Sequence, residues 1–138
     1  MRTGSARADK GQVLVLAAML LAFLFVPLGI FVVDTGLVEA SYAQLNETAQ
    51  AAAEDGASML DTNLYRSSGG RSVLLDPAEA HQVSDRALTV SHLPGLNSWQ
   101  IAVHGSTVTV NADMTVPLFV LGRAQLRTTK SARLAYGQ

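Results

Sequence analysis

Residues 11–33 read GQVLVLAAMLLAFLFVPLGIFVV, and this stretch decides what the rest of the chain can do. It holds about 23 residues without a charge, and Gln12 is its one strongly polar side chain. Because a helix rises about 1.5 Å per residue, roughly 20 apolar residues cross the ~30 Å hydrocarbon core of a bilayer. The stretch therefore predicts a transmembrane helix.

The charges on either side of this stretch predict its orientation. Residues 1–10 form a basic tail, whereas the segment after the stretch opens with acidic side chains. The tail carries Arg2, Arg7 and Lys10 against one acid, Asp9. Asp34 and Glu39 follow the stretch. The positive-inside rule then predicts a single-pass protein of the cytoplasmic (inner) membrane, with its tail in the cytoplasm and residues 34–138 outside.

A cleaved secretory signal is the competing interpretation of the apolar stretch. Such signals have an apolar region of about 7–15 residues followed by a small-residue cleavage site. Residues 11–33 are longer than that, and no A-x-A site follows them. A retained span is therefore favoured, with a kink predicted near Phe23 because Pro27 removes one backbone hydrogen bond.

A heptad-like spacing of small and apolar residues follows the span. Its positions are Val38, Tyr42, Leu45, Ala49, Ala52, Gly56 and Met59. Small residues let helix backbones approach closely, so the pattern predicts an extracytoplasmic helix over residues 34–65 with an alanine-rich seam. The seam packs either on the protein's own sheet or on neighbouring copies. The first six positions are thus the candidate helix-packing interface.

Residues 66–138 predict a small α+β head. Ser67 to Gly70 break the long helix, and a short helix begins with Asp76 as N-cap, Pro77 and the capping-box residue Glu79. Strands are predicted over residues 99–104, 107–116 and 124–136, with a type II′ turn at Gly105-Ser106 joining the first two. The fold class is therefore α+β: a long N-terminal transmembrane and stalk helix, one short helix and a small antiparallel sheet of about three strands.

Composition narrows the chemistry that this chain supports. There is no cysteine, which excludes disulfides and thiolate sites, and the net charge of −1 leaves no overall footprint for nucleic acid. His81, His92 and His104 lie about eleven residues apart, without the short spacing typical of zinc sites. The sequence therefore predicts no catalytic residues, no metal and no cofactor.

Asp34-Thr35-Gly36 spells the signature of aspartic proteases. That chemistry requires two carboxylates that share a proton on loops of a β scaffold, whereas Asp34 directly follows a predicted membrane helix. We expect instead that Asp34 marks the headgroup boundary of the bilayer and that Gly36 eases the passage into the outer part of the helix.

Charge is distributed unevenly over the part of the chain after the span. The acidic residues of the long helix are Glu39, Glu47, Glu54, Asp55 and Asp61, and the basic residues near the C-terminus are Arg123, Arg127, Lys130 and Arg133. One interpretation is that the acidic and the basic residues each lie on a solvent-exposed face of the protein. A sharper interpretation is that the basic strand of one subunit meets the acidic helix of another and sets their register.

The N-terminal module resembles that of TadE/TadG-like proteins, the pseudopilins or minor pilins of tight-adherence (Flp-type) pilus systems. The matching residues are Lys10-Gly11-Gln12, the apolar stretch with Pro27, Val33-Asp34-Thr35-Gly36, Leu45-Asn46 and the small residues from Ala49 to Ala57. The resemblance covers about residues 10–60 and implies a pilin-like fold. The length is too small for the large von Willebrand-like domain of TadG members, so a TadE-like size is implied.

The resemblance also implies a processing site and a set of partners. Prepilin peptidase cleaves such precursors after a glycine, which makes Gly11 and Gln12 the candidate site here. Mature chains of this kind usually carry glutamate at the fifth position, where this sequence has Leu16, so whether Gly11 is cleaved stays open. The implied partners are membrane lipid, other pilin or pseudopilin subunits, the pilus assembly platform and the peptidase.

The expected function is therefore a non-enzymatic structural role in Tad/Flp-type pilus assembly through helix–helix packing. The alternative is a single-pass membrane-anchored binding or sensor domain that uses its sheet and residues 116–121 for recognition. If the seam packs on neighbouring copies, Ala52→Glu is expected to abolish incorporation into a pilus and to leave the head folded.

Overall fold

The computed structural model describes residues 5–71 and 73–134, with the backbone alone for residues 5–10. Its elements are α1 (Ser5–Ala57), α2 (Thr62–Ser67), α3 (Pro77–Val90), β1 (Leu96–His104), β2 (Thr107–Pro117) and β3 (Arg123–Arg133). The three strands form one antiparallel sheet in the order β1-β2-β3. The predicted α+β class, with a long N-terminal helix and a small antiparallel sheet, is confirmed.

Helix α1 is 53 residues long and runs through Pro27 without interruption. Over residues 11–29 every side chain is exposed, so this half of the helix has no partner within the chain. By length and composition α1 can cross a membrane, and it is the one helix among the described residues that can. The single-pass anchor is consistent with this helix, while the side of the membrane on which the head lies stays a prediction.

The predicted end of the long helix near Tyr65 is wrong, because α1 ends at Ala57. The backbone of Met59 to Asp61 pairs with a returning segment instead of continuing the helix. Leu60 forms a bridge with Leu75, and the Asp61 N–H donates to the Leu74 carbonyl at 2.9 Å. Asp61 then caps the short helix α2 by accepting a hydrogen bond from the Leu64 N–H at 2.9 Å.

Helix α3 begins as the sequence predicts. The Asp76 carboxylate accepts hydrogen bonds from the Ala78 and Glu79 N–H groups at 3.0 and 3.1 Å, and Pro77 occupies the first turn. The reciprocal half of the predicted capping box is replaced, since the Asp76 N–H donates to the Met59 carbonyl at 3.1 Å. The cap therefore also ties α3 to the segment that leaves α1.

The strands follow the predicted hairpin closely. Gly105 has a φ of +60°, and Ser106 is not among the residues with positive φ, which matches a type II′ turn. Strand β3 ends at Arg133 and does not include Leu134, and the rest of its predicted extension, to Tyr136, lies outside the described residues. One face of β2 is buried along its whole length, through Val108, Val110, Ala112, Met114 and Val116.

The core lies between this sheet face and the two longer helices, with α1 against β2 and β3 and α3 against α1 and β1. Four seam residues, Leu45, Ala49, Ala52 and Gly56, are buried in it. Ser84 of α3 donates a hydrogen bond to the Ala52 carbonyl at 2.8 Å, within the contact between the helices. The sequence left open whether the seam packs on the protein's own sheet or on neighbouring copies. At these four positions it packs within the protein's own head.

Gly56 sets how closely α1 and α3 approach, and its replacement tests the packing. A Cβ there would lie 2.1 Å from Ser84 Oγ and 3.0 Å from the Ala80 carbonyl oxygen. Overpacking typically costs about 1–3 kcal/mol, and the gain in helix propensity offsets about 1 kcal/mol of it. We therefore expect Gly56→Ala to lower the free energy of unfolding, by up to about 2 kcal/mol. Thermal unfolding of the full chain in detergent micelles measures the effect.

Gly36→Ala is the matched control for this experiment. Gly36 lies in the same helix, and a Cβ there would meet nothing within 4 Å. Its replacement should leave the unfolding of the head unchanged or slightly raise its stability. Equal thermal stability of the Gly56→Ala and Gly36→Ala variants would contradict the close approach of α1 and α3.

Burial of Ala52 overturns the expectation that Ala52→Glu leaves the head folded. Ala52 is completely buried, so a glutamate side chain there would have to place its carboxylate within the core. An uncompensated buried charge costs about 3–5 kcal/mol, a large part of the stability of a small domain. We expect Ala52→Glu to lose the near-UV circular dichroism of the head, whereas Ala51→Glu at the adjacent exposed position should retain it. A native-like spectrum for Ala52→Glu would contradict this packing.

Candidate functional site

Asp34 occupies an unusual position at the end of the apolar half of α1. Among residues 11–34 only Ile30 and Asp34 are not exposed, and the Asp34 side chain is 2% exposed. The two residues are one helical turn apart, so they lie on the same face of α1. A single narrow contact therefore covers α1 where the apolar stretch ends.

The contact at Asp34 comes from the hairpin loop between β2 and β3. Pro117 and Arg123 form the last pair of the ladder, and residues 118–122 make the loop. The Leu118 N–H donates to the Gly122 carbonyl at 2.9 Å, and Gly122 has a φ of +79°, which glycine adopts without strain. The loop is thus closed by its own backbone.

Two successive N–H groups of this loop bind the Asp34 carboxylate. The Phe119 N–H donates to Oδ1 at 2.8 Å, and the Val120 N–H donates to Oδ2 at 3.1 Å. Charge-assisted bonds of this kind are stronger than neutral ones and offset the cost of burying the carboxylate. We call this arrangement of Asp34, Phe119 and Val120 the loop clamp.

The loop clamp leaves the side chains of the loop tip exposed. Phe119, Val120 and Leu121 are 78%, 66% and 66% exposed, whereas Leu118 is half-buried against the core. Three consecutive large apolar side chains in the open are costly in water. They are held beside α1 at the level where its apolar stretch ends.

The Asp34-Thr35-Gly36 sequence lies within α1 and not on a loop of a β scaffold. The Asp34 carboxylate is engaged by backbone N–H groups, and the Thr35 hydroxyl donates to the Phe31 carbonyl at 2.9 Å. Gly36 continues the helix with open space around it. The geometry gives these residues a structural role at the helix–loop contact.

Asn46 and Asp85 tie the helices to the sheet farther from the apolar stretch. The Thr128 hydroxyl of β3 donates to Asn46 Oδ1 at 2.5 Å, and Thr128 is buried. The Trp99 Nε1–H of β1 donates to Asp85 Oδ1 at 2.8 Å. Together with the loop clamp, these bonds fix the position of the sheet along and across the helices.

The sequence-predicted site residues are divided among three environments. Leu45, Ala49, Ala52 and Gly56 are buried in the head, Val38 is half-buried, and Tyr42 is 44% exposed. Gly11 and Gln12 are exposed within α1. The structure does not bring the processing candidates near the seam, and of the six candidate interface residues only Val38 and Tyr42 are partly or fully exposed.

The basic residues of β3 lie on the sheet and divide between its faces. Arg123, Arg127 and Arg133 are exposed, whereas Lys130 is half-buried. Arg127 Nε donates to Asp113 Oδ1 of β2 at 2.5 Å, and this hydrogen bond, with the attraction between the charges, raises the pKa of Arg127. Arg127 thus meets an acidic side chain of its own sheet, and pairing of β3 with the acidic helix of another subunit stays a prediction.

The remaining polar groups form no evident ligand site in the described part of the chain. His81, His92 and His104 are all exposed, and residues 5–71 and 73–134 contain no group of three histidine, aspartate or glutamate side chains that could hold a metal ion. An open groove of about 380 Å³ lies between the end of α1 and the end of β3. Its lining includes the apolar residues Ala57, Leu60, Ala132 and Leu134 and the charged residues Glu54 and Arg133.

No protein-family model, curated protein or solved structure matches this chain.

The loop clamp is the feature that sequence reasoning missed. Two signals for it are visible in the sequence: Asp34 is the first charge after the apolar stretch, and Pro117 and Gly122 bracket the apolar tip. The sequence predicts Pro117 to Gly122 as a break in the β pattern, but nothing in local propensity links residues about 85 positions apart. Only the packing of the sheet on α1 brings them together.

Removal of the Asp34 carboxylate tests the loop clamp. Each hydrogen bond to a charged acceptor contributes about 1.5–3 kcal/mol, so Asp34→Ala should speed amide hydrogen exchange at Phe119 and Val120 by about tenfold or more. Exchange at the Ala112 amide in the centre of the sheet reports whether the head stays folded.

Glu39→Ala is the matched control for the clamp experiment, because it removes an exposed carboxylate from the same helix. It should leave exchange at both loop amides unchanged. Unchanged exchange in Asp34→Ala would show that the carboxylate does not hold the loop.

Proposed function

We propose that this chain is a membrane-anchored pseudopilin or minor pilin-like structural protein that takes part in assembly of a Tad/Flp-type pilus. One observation carries the proposal: a single helix, α1, supplies both an apolar half without a partner in the chain and the central helix of a small α+β head. This division is what a subunit needs if its anchor moves from lipid to neighbouring helices. The resemblance of residues 10–60 to TadE/TadG-like proteins supports the same assignment.

The proposed mechanism is mechanical and requires no catalysis. In the bilayer the apolar half of α1 contacts lipid, and in a filament it contacts the corresponding helices of other pilin or pseudopilin subunits. Apolar surface is buried in both environments, so the exchange depends on packing and not on water exclusion. The head remains outside the membrane and follows α1 because the core holds the two together.

The exposed part of the seam marks where the proposed contact continues above the membrane. Val38 and Tyr42 lie between Asp34 and the first buried seam residue, Leu45, and neither is enclosed by the head. Leu37 beside them is also exposed. This short collar of α1 is available to a neighbouring helix when the head is folded.

The proposal predicts that the protein is recovered from sheared surface fibres and that Tyr42→Glu reduces this recovery. Tyr42 is 44% exposed, so a charge there should leave the head folded while placing an unpaired carboxylate in the contact between helices. Immunoblots of sheared fibres and of membranes, from cells that carry the pilus apparatus, measure the distribution.

Ala43→Glu is the control, because it adds the same charge at the adjacent exposed position on a different side of α1. Normal recovery of Tyr42→Glu in fibres would remove the collar from the proposal. Absence of the wild-type protein from fibres, with full-length protein in membranes alone, would favour the membrane-anchored binding or sensor domain.

The N-terminus of the fibre-associated protein decides the question of processing. Cleavage after Gly11 by a prepilin peptidase would leave Gln12 as the first residue. Mass spectrometry of the N-terminal peptide distinguishes this product from the full-length chain. Leu16 stands where glutamate usually sets the register with a neighbour, so the proposed subunit must obtain its register elsewhere, and the collar is one such surface.

A further inference from the structure

We propose that the loop tip, Phe119-Val120-Leu121, inserts into the headgroup region of the bilayer as a second membrane anchor, and that the loop clamp sets its depth. The occupant of this apolar surface is lipid. The inference requires that α1 crosses a membrane, and it holds whether or not the protein enters a pilus.

The position of the loop follows from the clamp. Asp34 is adjacent to Val33, the last residue of the apolar stretch, and its carboxylate is bonded to the Phe119 and Val120 N–H groups. The half-burial of Ile30 extends the covered face one turn, or about 6 Å, into that stretch. If residues 11–33 span the hydrocarbon core, the loop tip therefore lies at the boundary between acyl chains and headgroups.

The chemistry of the loop tip suits that depth. Its three side chains are large, apolar and about two-thirds or more exposed, and their backbone is held beside α1 where its apolar stretch ends. Segments that lie in a membrane interface bury apolar side chains about 5–10 Å into this boundary. The exposed Arg123 directly after the loop can reach phosphate groups of the lipid.

The backbone of the loop is also prepared for this environment. N–H groups without partners are costly where water is scarce, and three of the five N–H groups of the loop, those of Leu118, Phe119 and Val120, have acceptors within the protein. Asp34 thereby satisfies two donors that would otherwise require water. A second contact with lipid would restrict the tilt and rotation of the head about α1.

Single labels on the full chain test the depth of the loop, because the sequence has no cysteine and each variant carries one dye. Val120→Cys is labelled with an environment-sensitive fluorophore and reconstituted in phosphatidylcholine vesicles. We expect emission at shorter wavelength, quenching by lipids that carry a spin label near the headgroup, and protection from aqueous iodide.

Two further label positions serve as controls. Ala22→Cys lies in the middle of the apolar stretch and should be quenched by lipids with a deep spin label. His104→Cys is exposed at the opposite end of the sheet, about 34 Å along the strands, and should be quenched by iodide alone. Iodide access to Val120→Cys equal to that of His104→Cys, with Ala22→Cys in lipid, would overturn the inference.

Two further measurements test whether the clamp sets the depth of the loop and whether lipid or a neighbouring copy covers it. In the Val120→Cys background, Asp34→Ala should increase iodide access to the label, and unchanged access would overturn the role of the clamp in setting depth. Protection that disappears at one chain per vesicle would mean that a second copy covers the loop, which would also overturn the inference. A label at Ala22 that stays in water would remove the membrane span itself, whereas loss of recovery in fibres would affect only the proposed pilus role.

Discussion

The close contact between α1 and α3 is the constraint on which the rest of the head depends. Gly56 leaves no space for a side chain beside Ser84 and Ala80, and Ser84 uses that proximity to bond the Ala52 carbonyl. With the two helices this close, α1 covers the buried side of β2, from Val108 to Val116, while α3 lies against β1. A core built of alanine, valine and leucine side chains is small, so its stability depends on this close fit.

Helix α1 has an apolar half without a partner in the chain and a half that packs in the head, and the loop clamp lies where the two halves meet. Before Asp34, α1 presents apolar side chains in every direction, and after Leu45 it turns one face inward to the sheet. Asp34 falls between these halves and binds the loop that β2 and β3 extend toward the apolar end. The head is thereby attached to α1 at both ends of the sheet's contact with the helix, through Asp34 near the apolar stretch and through Gly56 near the far end.

Much of this architecture could be predicted from local sequence patterns, because a helix cap or a hairpin turn depends only on residues that are neighbours in the sequence. Asp76 and Pro77 begin α3 as expected, and Gly105-Ser106 joins β1 to β2 in the expected turn. The end of α1 could not be predicted in this way, since residues 59–61 leave the helix to pair with residues 74–76. The clamp likewise depends on a contact between Asp34 and a loop distant in sequence, for which propensity gives no signal.

The sequence by itself determined that the chain has an apolar helix long enough to cross a bilayer and an α+β head, because periodicity and charge are local properties. It also determined the small-residue seam, but left open what the seam packs against. Only the tertiary structure decided that Leu45, Ala49, Ala52 and Gly56 belong to the core, and that Val38 and Tyr42 do not. The physical reason is that burial depends on where the sheet lies along α1, and long-range contacts at Asp34, Asn46 and Gly56 set that position.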